Sequence, residues 1–191
     1  MKTLFVLLLL ASVSFAAEAN PVRVLLHTEV GDIEVELDAK HAPKTAANFL
    51  RYVEAGFYNG GEFHRTVTMT NQPQNNIKIQ VIQGGIPPSR EKDAFAPVQL
   101  ERTSETGLKH KDGTLSMARD EPDSATSDFF ICIGDQPELD FGGKRNPDGQ
   151  GFAAFGKVIR GMEVVHKIHA SPAEGQTLTP PIKILRAAVV N

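Results

Sequence analysis

The chain has 191 residues, of which 41% are hydrophobic, and its formal net charge is −3. This length and composition suit one compact domain that buries its core without a metal ion or a disulfide. The small negative charge and the scattered basic residues argue against a nucleic-acid-binding surface. Cys132 is the only cysteine, which excludes an intramolecular disulfide, and its apolar neighbours predict a core position rather than a nucleophile.

The first residues have the form of a secretory signal peptide. Lys2 precedes an apolar run from about Leu4 to Val13, and small residues follow. This run is shorter than the roughly 20 residues that span a bilayer. Ala19 is the preferred cleavage point and Ala16 the alternative. We therefore predict a signal peptide at 1–19, one domain over 20–191, and a secreted or periplasmic product that is not attached to a membrane after cleavage.

The mature chain begins with a predicted β-hairpin, because Val22, Val24 and Leu26 recur at every second position and apolar and polar residues alternate over 33–37, after a Gly31-Asp32 turn. Helical spacing of Ala46, Phe49 and Val53, with Pro43 in the first turn, predicts a helix over about 42–55. A second helix is expected at 161–168. Short strands are expected at 62–67, 77–82, 97–100, 113–118, 129–133, 153–159 and 182–189, and surface loops at 70–76 and 142–151. Many short strands with two helices indicate a sandwich or a barrel.

Common catalytic motifs are missing from the sequence. The six histidines form no H-x-x-x-H zinc pair, and no G-x-S-x-G, P-loop or G-x-G-x-x-G sequence occurs. We therefore expect neither a metal ion nor a cofactor.

Four segments, in order along the chain, resemble the cyclophilins. They read GFYNGGEFHR (56–65), VIQGG (81–85), GTLSMARDEPDSATSDFFI (113–131) and FAAFGKVIRGMEVV (152–165). The resemblance extends from about Val22 to the C-terminus. It implies a closed eight-stranded antiparallel β-barrel with two helices, which agrees with the strand pattern. It also implies a peptidyl-prolyl cis/trans isomerase that acts on proline-containing polypeptides and assists the folding of exported proteins.

The same resemblance implies the residues of the site. Arg65 matches the arginine that stabilises the twisted prolyl bond. The apolar pocket for the proline ring, and the groups that bind the substrate chain, are carried over from the motifs as well. The pocket residues are Val81, Phe130, Leu139 and Phe152, and the chain is bound by Gln83 and the backbone at Ala118 and Arg119.

The sequence departs from the cyclophilin pattern at two places that affect this site. About ten residues are inserted between Arg65 and Gln83, so one apolar wall is displaced, and we expect Met69 to replace it. Asp128 stands where the family has a glutamine that binds substrate. An ionised carboxylate cannot donate a hydrogen bond, so Asp128 is expected to pair with Arg65 and to slow the enzyme.

Two other functions compete with catalysis. A binding module or chaperone could grip proline-containing segments with little turnover. A barrel could instead hold a small apolar ligand inside, although Phe129, Phe130, Phe152 and Phe155 would tend to fill that space. We expect a monomer that binds no nucleic acid.

Overall fold

A computed structural model describes residues 21–190, and the predicted signal peptide lies outside them. The strands of this part of the chain are β1 (Val22–Thr28), β2 (Gly31–Leu37), β3 (Gly61–Val67), β4 (Val81–Gly85), β5 (Thr114–Met117), β6 (Phe129–Cys132), β7 (Ala153–Arg160), β8 (Ala173–Glu174) and β9 (Thr177–Val190). The helices are α1 (Pro43–Glu54), α2 (Thr103–Thr106) and α3 (Met162–His169), with 3₁₀ turns at Pro88–Asp93 and Pro137–Leu139.

Eight of these strands form a closed antiparallel barrel. Their order is β1-β2-β7-β5-β6-β4-β3-β9, and β9 pairs with β1 to close the ring. The two-residue strand β8 adds only to the edge of β9. The predicted barrel is therefore confirmed, and α1 and α3 are the two predicted helices. Between residues 21 and 190, no helix is long and apolar enough to cross a lipid bilayer.

The first hairpin shows how the sequence pattern sets the register. Val24 pairs with Val35, and both side chains are fully buried. The turn occupies residues 29–30, two residues earlier than predicted, and Gly31 already belongs to β2. Gly31 has a φ of 138°, and a Cβ there would lie 2.6 Å from Val164 of α3. Glycine is therefore required where α3 packs against the hairpin.

Aromatic side chains fill the inside of the barrel. Phe49 of α1 lies 5.4 Å from Phe129 and 5.3 Å from Phe155, measured between ring centroids, and all three are fully buried. Phe130 and Phe152, which were expected to share this space, belong to a separate cluster outside the barrel. The interior is a packed core, which leaves the ligand-filled barrel without support.

Three predicted strands have different bounds. The strand expected at 77–82 begins only at Val81, because the buried Gln72 side chain binds the backbone of Ile79 in both directions. The segment 97–100 contributes one isolated bridge, from Val98 to Ala125. The last strand begins at Thr177 rather than at 182. Cys132 is buried as predicted, and burial raises the pKa of its thiol.

Candidate active site

The candidate site is a row of side chains across the outer face of four neighbouring strands. Arg65 of β3 is opposite Gln83 of β4, Gln83 is opposite Phe130 of β6, and Phe130 is opposite Ser116 of β5. Side chains at directly opposed positions lie on the same face of a sheet. Strand register therefore brings together residues that are far apart in the sequence.

A β-bulge at His64 places Arg65 on this outer face. Phe63 pairs with Gly84 and Arg65 pairs with the next residue of β4, Gln83, so His64 is an additional residue in β3 without a partner in β4. In a regular strand Arg65 would point the same way as Phe63, which is fully buried in the barrel. The additional residue reverses the direction, as bulges do next to functional sites.

Neutral acceptors orient the guanidinium of Arg65. Its Nε and Nη2 both donate to Oε1 of Gln176, at 2.9 and 2.6 Å, and its Nη1 donates to Oε1 of Gln83 at 2.9 Å. An arginine has five N–H donors, so two are left for a ligand. Burial lowers the pKa of Arg65, but an arginine in a protein keeps its charge. The side chain is thus a fixed cation whose charge is not neutralised by its partners.

Asp128 does not pair with Arg65, and that prediction was wrong. Its Oδ2 accepts a hydrogen bond from Nε2 of Gln83 at 3.1 Å and lies 3.6 Å from Nε2 of His64. The carboxylate also packs against Gly85, where a Cβ would overlap its oxygen. Asp128 therefore reaches Arg65 only through Gln83, whose carbonyl oxygen faces the arginine and whose amide faces the carboxylate.

An apolar pocket adjoins Arg65 in a cleft of about 400 Å³. This volume lies in the range of small-ligand sites. The nine residues predicted for the site, from Arg65 to Phe152, all line the cleft. Met69 does not line the cleft, and the residue is 48% exposed. The wall expected from Met69 is supplied by Ile79, which packs in the same cluster as Val81 and Phe130.

Buried polar groups support the floor of the pocket. Phe130 meets Phe152 edge to face at 5.4 Å and stacks on His110 at 5.9 Å. His110 is fully buried, with Nδ1 2.8 Å from Asp140 and Nε2 2.9 Å from Ser116. Both ring nitrogens are engaged, so His110 is a structural residue that holds Phe130 in place.

One of the backbone groups predicted to bind substrate forms a hydrogen bond within the barrel instead. The N–H of Ala118 donates to the carbonyl oxygen of Asp128 at 2.9 Å, which leaves the other backbone groups at 118 and 119 for a substrate. The Arg119 side chain binds Asp148 and the carbonyl oxygen of Gly151, and it lies 5.2 Å from the Phe152 ring. Its charge is therefore paired, and it braces the loop that carries Phe152.

Sequence reasoning missed Gln176, the main partner of Arg65. Its Nε2 donates to the carbonyl oxygen of Asn71, and the Asn71 side chain donates back to that of Gly175. The inserted segment thus contacts the turn between β8 and β9 and helps to fix Gln176. A single glutamine in a turn, 111 positions from Arg65, carries no signal in the sequence.

We expect Gln176→Ala to lower kcat/KM about three- to tenfold, because two of the three hydrogen bonds that orient Arg65 are lost. Gln176 does not line the cleft, so kcat should fall while KM changes little. Gln176→Glu keeps the acceptor but adds a counterion, and it should also be slower. A wild-type rate in both variants would contradict a role for Gln176 in positioning Arg65.

Comparison with known proteins agrees with this geometry. The family model for cyclophilin type peptidyl-prolyl cis-trans isomerases matches residues 23–189. Peptidyl-prolyl cis-trans isomerase A of Dickeya dadantii is 42% identical over 94% of this chain and 90% of its own length. Isomerase B of Escherichia coli is 40% identical over 76% and 82%.

The fold matches as well. The crystal structure of a Cryptosporidium parvum cyclophilin type isomerase superimposes with a TM-score of 0.71 at 24% identity, covering 90% of this chain and 98% of that one. Cyclophilins act on proline-containing peptide substrates, which suits a cleft that combines a fixed arginine with an apolar pocket. Because the family model matches nearly the whole described chain and the relatives named above are more than 30% identical, the chain belongs to the cyclophilin-type peptidyl-prolyl cis-trans isomerases.

Proposed function

We propose that Arg65 is the principal catalytic residue of this isomerase and that the adjoining pocket holds the proline ring of the substrate. One observation carries the proposal: the Arg65 guanidinium, oriented by two amide oxygens, lies in the same cleft as Val81, Phe130 and Phe152. No covalent step is needed, because the reaction only rotates the bond between proline and the residue before it.

The chemistry requires a donor aimed at the prolyl nitrogen. Resonance gives the peptide C–N bond partial double-bond character, with a rotation barrier of about 18–20 kcal/mol. When the bond is twisted, the lone pair returns to the nitrogen, which then accepts a hydrogen bond that neither planar isomer accepts equally well. A cationic donor there stabilises the transition state more than the ground states. The two uncommitted N–H groups of Arg65 supply such donors.

The surroundings of Arg65 suit this task. Its partners are neutral amides, which orient the guanidinium without cancelling its charge, and its pocket is partly shielded from water. An acceleration of about five decades requires roughly 7 kcal/mol of preferential transition-state binding, more than one hydrogen bond supplies. The apolar pocket must therefore contribute by holding the ring in position and excluding water.

A coupled prolyl-peptide isomerisation assay on the purified mature chain tests the proposal. We expect turnover that saturates with substrate and that depends on Arg65. A binding module would instead give saturable peptide binding with the uncatalysed rate of isomerisation. That alternative draws support from Asp128, which occupies one N–H group of Gln83 and leaves it less able to bind substrate.

We propose further that the enzyme is an exported monomer in which residues 20–191 form the isomerase domain and assist the folding of exported proteins. The support is the signal-peptide form of residues 1–19, which lie outside the described part of the chain. Mass spectrometry of the protein from its native cells should find Asn20 or Ala17 at the N-terminus. Intact Met1–Ala19 on the mature protein would contradict export by this signal.

A further inference from the structure

A second arginine shares the cleft with Arg65. Arg145 lies in the loop 142–151, and its side chain lines the same cleft as the pocket residues. Its Nη1 donates to the carbonyl oxygen of Ile77 at 2.7 Å, and its backbone N–H donates to that of Glu138 at 3.1 Å. Arg145 thus connects the inserted segment to the loop after β6 and is held in place at both ends.

The charge of Arg145 has no counterion within residues 21–190. No carboxylate oxygen lies within 4.0 Å of its guanidinium, whereas Arg119, in the same cleft, is paired with Asp148 at 2.8 Å. Burial lowers the pKa of Arg145, and the charge of Arg65 lowers it further. Both guanidinium groups line the same cleft, so their like charges repel, and an anion between or beside them would relieve that repulsion.

The carboxylates of the cleft do not supply this anion. Asp128 is engaged by Gln83 and lies near His64, while Asp120 lines the cleft and forms no ion pair among the described residues. The cleft therefore holds two cations, Arg65 and Arg145, that form no ion pair with a carboxylate of residues 21–190. Cations without a paired carboxylate favour substrates that carry a negative charge at the matching position.

We propose that Arg145 is a specificity residue that binds an acidic side chain, Asp or Glu, close to the isomerising proline. The proposal rests on the assignment of this cleft as the substrate site. Among the described residues, the Arg145 side chain makes one hydrogen bond, through Nη1. Its Nε and Nη2 are therefore free to bind a carboxylate in the two-point geometry that arginine favours. An amide carbonyl, not a carboxylate, holds the arginine, so its charge is available to the substrate.

A peptide scan tests this preference. Glu, or its neutral isostere Gln, is placed in turn at each of the three positions on either side of proline, and kcat/KM and the dissociation constant are measured for each pair. We expect at least one position at which Glu exceeds Gln by about three- to tenfold, mainly through KM, because the contact is present before the bond twists. The preference should shrink as salt is raised, since salt screens partly exposed charges.

Variants then assign the preference to one residue. Arg145→Gln should abolish the difference in kcat/KM between the Glu and Gln peptides, and Arg145→Lys should keep part of it. Arg186→Gln is the matched control, because Arg186 is an exposed arginine of β9 that does not line the cleft, and it should keep the full preference.

Two results would overturn the proposal: no position at which Glu binds or reacts better than Gln, or a preference that survives in Arg145→Gln. The neutral peptides separate this failure from that of the proposed site. Turnover of the Gln peptides without a Glu preference rejects the role of Arg145 alone. If the Gln peptides are not isomerised, the catalytic assignment fails, and the dissociation constants of the Glu and Gln peptides still decide on Arg145.

Discussion

Arg65→Ala should lower kcat/KM by at least about tenfold, the equivalent of ~1.4 kcal/mol, with the fold intact. The substitution removes the only side chain of the row that offers a cationic donor to the prolyl nitrogen. The fold should tolerate it, because the lost hydrogen bonds go to the amide oxygens of Gln83 and Gln176, two partly exposed residues at which water can replace the arginine.

Arg65→Lys sharpens this test. A lysine keeps the charge, but one ammonium group cannot bond both glutamines and a substrate with the geometry of a planar guanidinium. We expect activity between those of wild type and Arg65→Ala. Arg186→Ala, which removes an exposed arginine that does not line the cleft, should leave kcat/KM unchanged. Circular dichroism and thermal unfolding report on the fold, and a stable Arg65→Ala protein with wild-type kcat/KM would remove Arg65 from the mechanism.

Asp128→Asn should raise kcat/KM by roughly 5- to 30-fold at neutral pH, which corresponds to one regained hydrogen bond of ~1–2 kcal/mol. Asparagine has the shape of aspartate, so its oxygen can still accept from Gln83 and still fit against Gly85. Its amide adds a neutral donor at the position where the family has glutamine. The carboxylate that repels substrate carbonyl groups is removed at the same time.

Asp128→Gln tests the same gain with the side chain of the family. It is longer than aspartate and must adjust to the close packing against Gly85, so the increase should be smaller than for Asp128→Asn. Asp93→Asn removes an equal charge from an exposed 3₁₀ turn and should have no effect. An unchanged or lower rate in folded Asp128→Asn would mean that the Gln83–Asp128 contact supports catalysis and that its carboxylate form is needed.

Much of the barrel could be predicted because periodicity reports directly on burial. In the first hairpin, apolar residues at every second position identified the inner face, and the paired Val24 and Val35 are buried as expected. The pattern failed where a side chain competes for the backbone. Gln72 occupies the N–H and C=O groups of Ile79, so the apolar residues before Val81 pack against the cleft without joining a strand.

The site could be predicted only in part, because sequence motifs do not report local backbone geometry or distant hydrogen-bond partners. Motifs identify residue types, and they placed Arg65, Gln83 and Phe130 in one site. They do not show the bulge at His64 that turns Arg65 outward, nor Gln176, which comes from the far end of the chain. Asp128 was assigned to Arg65 because opposite charges attract, but the intervening glutamine satisfies both groups at lower cost in desolvation.

The pairing of β1 with β9 has a consequence for how the molecule is made. Arg23 is opposite Val190, so the contact that closes the ring joins the first strand to the last. Such a long loop must lose most of its conformational freedom before these strands gain any hydrogen bonds, which slows folding. A nascent chain that still lacks β9 cannot close the ring. Closure has to follow synthesis of β9, and until then β1 and β3 each present an unpaired edge to other chains.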